Sequence, residues 1–287
     1  MIPVAFDYQA PASLEEAVSL LANDPEGAKV LAGGHSLIPA MKLRLAQPQL
    51  LVDIARIKSL SYIREEDNQI LIGATTTHYQ LESSELLKQR CPLLPACAAS
   101  IGDVQVRNKG TIGGSIAHSD PAGDWPAAVL ALDADLVLVG PGGERTVKAA
   151  NFFVDLLTTD LQPGEILREI RIAKPSGRFG QAYQKVPHPA SGFAVVGIAV
   201  HLAFNDDGSC KSAQIGVTGV GVKAYRAQGV EATLAGKNLD EQIIKEASSH
   251  VCDGIDPNSD LYASGEYRCH LAQVHTRRAI QAARAAG

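Results

Sequence analysis

Two double-glycine stretches constrain this chain more than any other part of it: Ala32-Gly33-Gly34-His35-Ser36 and Thr111-Ile112-Gly113-Gly114-Ser115. Each leads from an apolar approach through paired glycines into small or hydroxyl-bearing residues. Glycine admits φ > 0 and lets a ligand reach backbone that a Cβ would shield. Successive N–H groups freed in that way converge into an anion-binding nest. Two matching nests suit two jaws on one phosphorylated ligand, most economically a pyrophosphate. A tight turn explains one such stretch well; it explains two with similar flanks poorly.

The usual nucleotide motifs do not fit these stretches. A dinucleotide-binding Rossmann turn needs G-x-G-x-x-G between strand and helix, with an acidic residue about 20 residues on. Asp53 has that separation from Gly33, but no third glycine follows in register. A P-loop is excluded because neither pair precedes Lys-Ser or Lys-Thr.

With 287 residues the chain is long enough for two or three compact units. A net charge of -5 gives no electrostatic case for nucleic acid or an anionic membrane. No apolar run approaches the length of a transmembrane helix. The start Met1-Ile2-Pro3-Val4-Ala5-Phe6-Asp7 lacks a basic segment before an apolar core, so no secretory signal is expected and a cytoplasmic protein is. Cys91, Cys97, Cys210, Cys252 and Cys269 have neither zinc nor iron–sulfur spacing, and the expectation is of reduced, mostly buried thiols.

The pattern of elements is mixed. Ser13-Leu14-Glu15-Glu16 reads as a capping box ahead of a helix burying Leu14, Ala17, Val18 and Leu21. Strands at Lys29–Ala32 and Leu50–Ile54, with a helix from near Pro39 to Leu45, make residues to about 55 a β–α–β–α–β segment. Gln69–Ala74, Asp135–Gly140, Arg145–Val147 and Ile166–Ile172 read as strands joined partly by turns, and Leu86–Ser100 as a helix broken at Pro92 and Pro95. Lys174-Pro175-Ser176-Gly177 marks the best boundary. Beyond it lie strands at Phe179–Lys185, Phe193–Phe204 and Cys210–Val217, a helix capped by Asp240 and stopped by Gly254, and a last helix from Ser264 to Ala285. The class is α+β.

Ala32-Gly33-Gly34-His35-Ser36-Leu37-Ile38-Pro39, continuing through Met41-Lys42-Leu43-Arg44-Leu45-Ala46, resembles the flavin subunits of the molybdenum hydroxylases. So do the run Val106 to His118, Asp120-Pro121, Asp124-Trp125-Pro126-Ala127 and Ser264-Gly265-Glu266-Tyr267-Arg268. The resemblance covers essentially the whole chain. Its opening, Met1-Ile2-Pro3 with Phe6-Asp7-Tyr8, is most similar to the carbon monoxide dehydrogenase branch.

The resemblance implies an FAD-binding domain of the PCMH (vanillyl-alcohol-oxidase-like) type over 1–177, with subdomains of about 1–55 and 56–177. A C-terminal domain of antiparallel sheet and helices would follow over 178–287. It implies non-covalent FAD, with the pyrophosphate between Ala32, Gly33, Gly34, His35, Ser36 and Thr111, Ile112, Gly113, Gly114, Ser115. Ser115 stands where asparagine is common, with a shorter reach. Asp124 matches a position near the ribityl and ribose hydroxyls. Leu161 and Lys185 match positions near the ring system and cofactor edge, Ile101 an apolar wall, and Phe193 an aromatic beside the isoalloxazine. Each has a plainer reading: a loop-bonding His35, a packing His118, turn or cap roles for Asp120 and Asp124, a solvated or snorkelling Lys185, a core Phe193.

No catalytic side chain and no metal ligand is expected on this chain. By the same resemblance a large molybdoprotein subunit, holding the molybdenum–molybdopterin cofactor, would oxidise CO with water to CO2. A small iron–sulfur subunit with 2Fe-2S clusters would relay the electrons to FAD and a quinone-type acceptor. The assembly would be a dimer of heterotrimers, cytoplasmic or held peripherally at the inner membrane. A related hydroxylase acting on an N-heterocycle or an aromatic acyl-CoA, a free-standing flavin oxidoreductase, and a non-enzymatic scaffold remain alternatives.

Overall fold

The computed structural model describes all 287 residues. The chain begins with strands Asp7–Gln9, Ala28–Leu31 and Leu50–Asp53. Both outer strands pair in parallel with Leu50–Asp53 in the centre. Parallel pairing needs crossovers, and the helices Leu14–Asn23 and Leu37–Lys42 supply them. Leu14, Ala17, Val18 and Leu21 are the buried residues of the first helix, as the spacing predicts. Ser13 caps it by accepting from Glu16 N, but Glu16 reaches back to Ala12 N instead of Ser13 N, a capping box offset by one residue.

The second sheet is antiparallel throughout. Its order is Ile63–Glu66, Gln69–Gly73, Ile166–Ala173, Asp135–Gly140, Gly143–Lys148. Ile166, at the start of the central strand, also closes the small core under the parallel sheet, so the two sheets share a seam. The segment 86–100 breaks once. Glu85–Arg90 and Leu93–Ala99 are separate helices around Pro92, while Pro95 sits in the first turn of the second, where a missing N–H costs nothing.

The third sheet consists of Phe179–Pro187, Ala194–Phe204, Cys210–Thr218 and Tyr225–Arg226, again antiparallel. Its long central strand reads apolar at almost every position because both faces are covered. Val196, Ile198, Val200 and Leu202 share a core with Ala279, Ile280 and Ala283 of the last helix, Gly265–Ala286. Ala199 instead joins Trp125, Ala127 and Ala128 of the helix Asp124–Ala131 on the other face. Two glycines permit the approach: a Cβ at Gly180 would stand 1.8 Å from Ala283 O, and one at Gly216 2.0 Å from Ala127 O.

Two expectations need correction. Cys252 and Cys269 form a disulfide across Cα atoms 6.0 Å apart, tying the segment after helix Glu241–Ser249 to the last helix; only Cys91, Cys97 and Cys210 are free buried thiols. Scattered spacing hides a pair that the fold brings together. The second glycine pair also does not sit in a φ > 0 turn. Gly113 and Gly114 lie in the first turn of helix Ile112–His118, and neither has positive φ.

Candidate functional site

The first glycine stretch leaves the end of strand Ala28–Leu31 and enters helix Leu37–Lys42. Along it the N–H groups of Ala32, Gly33, Gly34, His35, Ser36 and Leu37 donate to no protein acceptor. Gly34, at φ +75°, turns the run inward. Ser36 makes no side-chain cap bond, so its hydroxyl is free as well. A run of orphan backbone donors in a cleft calls for water or an anion. This stretch has the run of free donors that a nest needs.

The second stretch is built otherwise. Ile112 N donates to Thr76 O (3.0 Å), Gly113 N to Ala74 O (2.9 Å) and Ser115 N to Thr111 O (3.1 Å). Gly114 N donates to the capping hydroxyl of Thr111 (3.1 Å). These donors bolt the helix start to the neighbouring segment and do not form a matching nest. What the stretch offers the cavity is bare backbone at Gly114, the Ser115 hydroxyl and the positive end of a short helix.

Glycine is required at these positions for different reasons. A Cβ on Gly33 would lie 2.3 Å from Lys109 O and 2.7 Å from Gly110 Cα, so here the two jaws touch. A Cβ on Gly113 would strike Ala74 at 2.4 Å. On Gly114 it would meet only the Thr111 hydroxyl at 2.8 Å, with Ala32 next at 3.9 Å. Gly114 alone keeps space open for something outside the chain.

Between the jaws runs a cavity of about 650 Å³, within the range of ligand sites. Ala32, Gly33, Gly34, His35, Ser36, Ile101, Thr111, Gly113, Gly114, Ser115, Asp124, Leu161 and Phe193 all line it. Phe193 stands at its rim, 46% exposed, beside Gly192 at φ +71°. Two residues of the expected set do not line it. Ile112 is fully buried in the core, and Lys185 lies behind the wall. Lys185 Nζ donates to Asp124 Oδ2 (2.8 Å) and Ser100 O (3.0 Å), while Tyr183 donates to Asp124 Oδ1 (2.6 Å). Burial lifts the Asp124 carboxyl above the usual carboxylate range, against the pull of Lys185 and Tyr183. Asp124 thus joins the cavity wall to the third sheet; any ligand hydroxyl it accepts from uses its remaining lone pairs.

Sequence reasoning misses two contributors. The turn Gln162-Pro163-Gly164-Glu165 lines the cavity beside Leu161. His78 lines it too, with Nδ1 accepting from the buried Trp125 indole N–H at 3.0 Å. The Thr77–Gln80 capping box was a signal for the helix that carries it, not for the histidine's role.

A mixed α+β chain with an anion nest facing a glycine-cleared helix start has the site of a flavin-dinucleotide binder. Residues 4–175 match the family described as the FAD binding domain in molybdopterin dehydrogenase, and 181–283 the CO dehydrogenase flavoprotein C-terminal domain. The chain is 41% identical to the carbon monoxide dehydrogenase medium chain of Hydrogenophaga pseudoflava, covering 99% of this chain and 98% of that one. It is 36% identical to the glyceraldehyde dehydrogenase medium chain of Sulfolobus acidocaldarius, covering 98% and 99%. In structure it matches a reconstituted CO dehydrogenase chain from Oligotropha carboxidovorans with a TM-score of 0.97 and 40% identity over the full length of both. The chain belongs to the FAD-binding flavoprotein family of the molybdopterin dehydrogenases.

The residues present fit that cofactor. Six free N–H donors in sequence suit a pyrophosphate, the open Cα of Gly114 suits close approach, and Ile101 and Leu161 give apolar walls for a ring system.

Proposed function

We propose that this chain is the FAD-binding medium subunit of an aerobic carbon monoxide dehydrogenase, with residues 1–177 holding the cofactor and 178–287 forming the second domain. The observation that carries the substrate is the ordering of the relatives: carbon monoxide dehydrogenase medium chains at 41% and 40% identity stand above the glyceraldehyde relative at 36%. In this reading a large molybdenum subunit oxidises CO and a small iron–sulfur subunit carries the electrons here. The acceptor is a quinone-type molecule and the assembly a dimer of heterotrimers, cytoplasmic or held peripherally at the inner membrane.

FAD, when bound, supplies the exchange between one-electron and two-electron carriers. The chain's own residues do the holding. Ala32 to Leu37 present donors to the pyrophosphate, Ser36 and Ser115 add hydroxyls, and Gly114 admits close approach. Asp124, braced by Lys185 and Tyr183, faces the ribityl and ribose hydroxyls, and Ile101 and Leu161 exclude water. Phe193 at the rim gates access to the ring.

The deciding experiment is purification of the native complex followed by dye reduction with CO, with glyceraldehyde and with an N-heterocycle. Turnover with CO alone is expected. Turnover with one of the others and not with CO assigns the chain to a sister enzyme. The FAD-loaded chain by itself is expected to be inert to all three substrates, and turnover by the lone chain overturns the subunit reading in favour of a free-standing flavin oxidoreductase.

A further inference from the structure

The geometry points to His78 as a further cofactor-positioning residue: its Nε2–H, turned to the cavity by the Trp125 indole N–H on Nδ1, donates to the FAD pyrophosphate. The inference rests on the reading of the cavity as the FAD site and deepens it.

Four observations carry it. His78 is only 5% exposed, yet it belongs to the cavity lining. Trp125, fully buried, donates from Nε1 to His78 Nδ1 at 3.0 Å, so Nδ1 is an acceptor and the ring proton of the neutral imidazole sits on Nε2. Nε2 has no protein acceptor, although it is not sealed from the cavity. Its position is also telling. Nε2 lies 2.6 Å from where a Gly110 Cβ would be, and Gly110 is the residue against which Gly33 of the nest packs. His78 N donates to Gly110 O at 3.0 Å, which fixes the histidine to the junction of the two jaws.

The second jaw spends its own backbone donors on Thr76, Ala74 and Thr111. A side-chain donor at this junction supplies what that jaw lacks. Burial, with His35 and Arg107 nearby, holds the His78 imidazole down to about 4, so at neutral pH it offers one fixed N–H and no charge. A core histidine tied to a tryptophan for packing alone would not need an unpaired nitrogen on the ligand side.

The test uses the full chain, stripped of flavin and titrated with FAD by flavin fluorescence, with the ³¹P resonances of the bound pyrophosphate as a second readout. His78→Leu is expected to weaken the FAD Kd about 10-fold to 100-fold, the loss of a hydrogen bond to a charged group. It should also shift the ³¹P signals while leaving the flavin absorption band in place. His78→Gln, which keeps an N–H near Nε2, should recover most of the affinity. Trp125→Phe, which removes only the tautomer lock and a little packing, should weaken binding by a smaller factor with the same ³¹P shift. A His78→Leu chain with wild-type Kd and unchanged ³¹P signals overturns the assignment. If that variant does not fold, Trp125→Phe decides by the same two readings. Failure of the wild-type chain to bind FAD at all would instead sink the reading of the cavity.

Discussion

At the residue scale the glycine motifs separate into positions that serve the fold and one, Gly114, that faces open cavity and is proposed to serve the ligand. Gly33→Val drives a side chain into the backbone of Lys109 and Gly110, and Gly113→Val into Ala74. Both should lower stability by about 1–3 kcal/mol or more, as overpacking against backbone does, and lose FAD as a consequence. Gly114→Val meets only the Thr111 hydroxyl before it enters the cradle. The expected outcome is near-normal melting of the flavin-free chain with flavin occupancy lost. Comparing apoprotein Tm with bound flavin across the three variants checks this; equal loss of Tm in all of them would refute the separation. The sequence showed that both glycine pairs matter. It did not show that one pair is a nest and the other a helix start, because that depends on Thr76 and Ala74, brought alongside by a different strand and turn.

At the element scale the instructive piece is helix Asp124–Ala131, which carries Asp124 into the cavity wall while its body packs on the third sheet. The long apolar strands and the first helix were legible because their periodicity is local. The short helix at the first glycine stretch, Leu37–Lys42, was legible too, but the helices Val104–Lys109, Ile112–His118 and Asp124–Ala131 were not, and neither was the Cys252–Cys269 bond, since their stability comes from neighbours distant in sequence. Lys185 shows the same limit: read from the strand alone it is a solvated lysine, yet its side chain is 6% exposed and paired with an Asp124 side chain at 5%. Removing one member of such a pair leaves a buried charge. Lys185→Met should therefore cost about 3–5 kcal/mol in the flavin-free chain, with Lys185→Met/Asp124→Asn recovering a large part. Chemical denaturation of the single and double variants measures the coupling, and a single variant as stable as wild type would show that the ion pair does not bind helix to sheet.

At the scale of the whole molecule, two separate parts of the fold hold a neutral histidine, His78 buried and His201 half-buried, which makes the fold sensitive to mild acid. Burial brings His78, beside Trp125, and His201, hydrogen-bonded to Gln181 in the third sheet, down to about 4 from an ordinary value of 6.5. Their folded values are depressed, so the unfolded chain takes up protons first as pH falls. The stability they confer is complete above 6.5 and is lost progressively toward 4. In that window each imidazole should contribute a slope of about 1.4 kcal/mol per pH unit, with stability rising as pH rises. Most carboxylates titrate below the upper part of this window, but burial also holds His275 below its ordinary value, so the contribution of each of the two histidines is read as the difference in slope between wild type and its His→Gln variant from pH 5 to 6.5. Measurements belong on the flavin-free chain, because bound FAD adds its own stabilisation by mass action. His201→Gln should flatten the slope by one proton while leaving the FAD cavity untouched, since His201 lies outside its lining. His78→Gln should flatten it by another. A wild-type chain whose stability is level across this range would mean that the two histidines are hydrated or charged in the folded state, and the same result would remove the single neutral donor on which the His78 assignment relies.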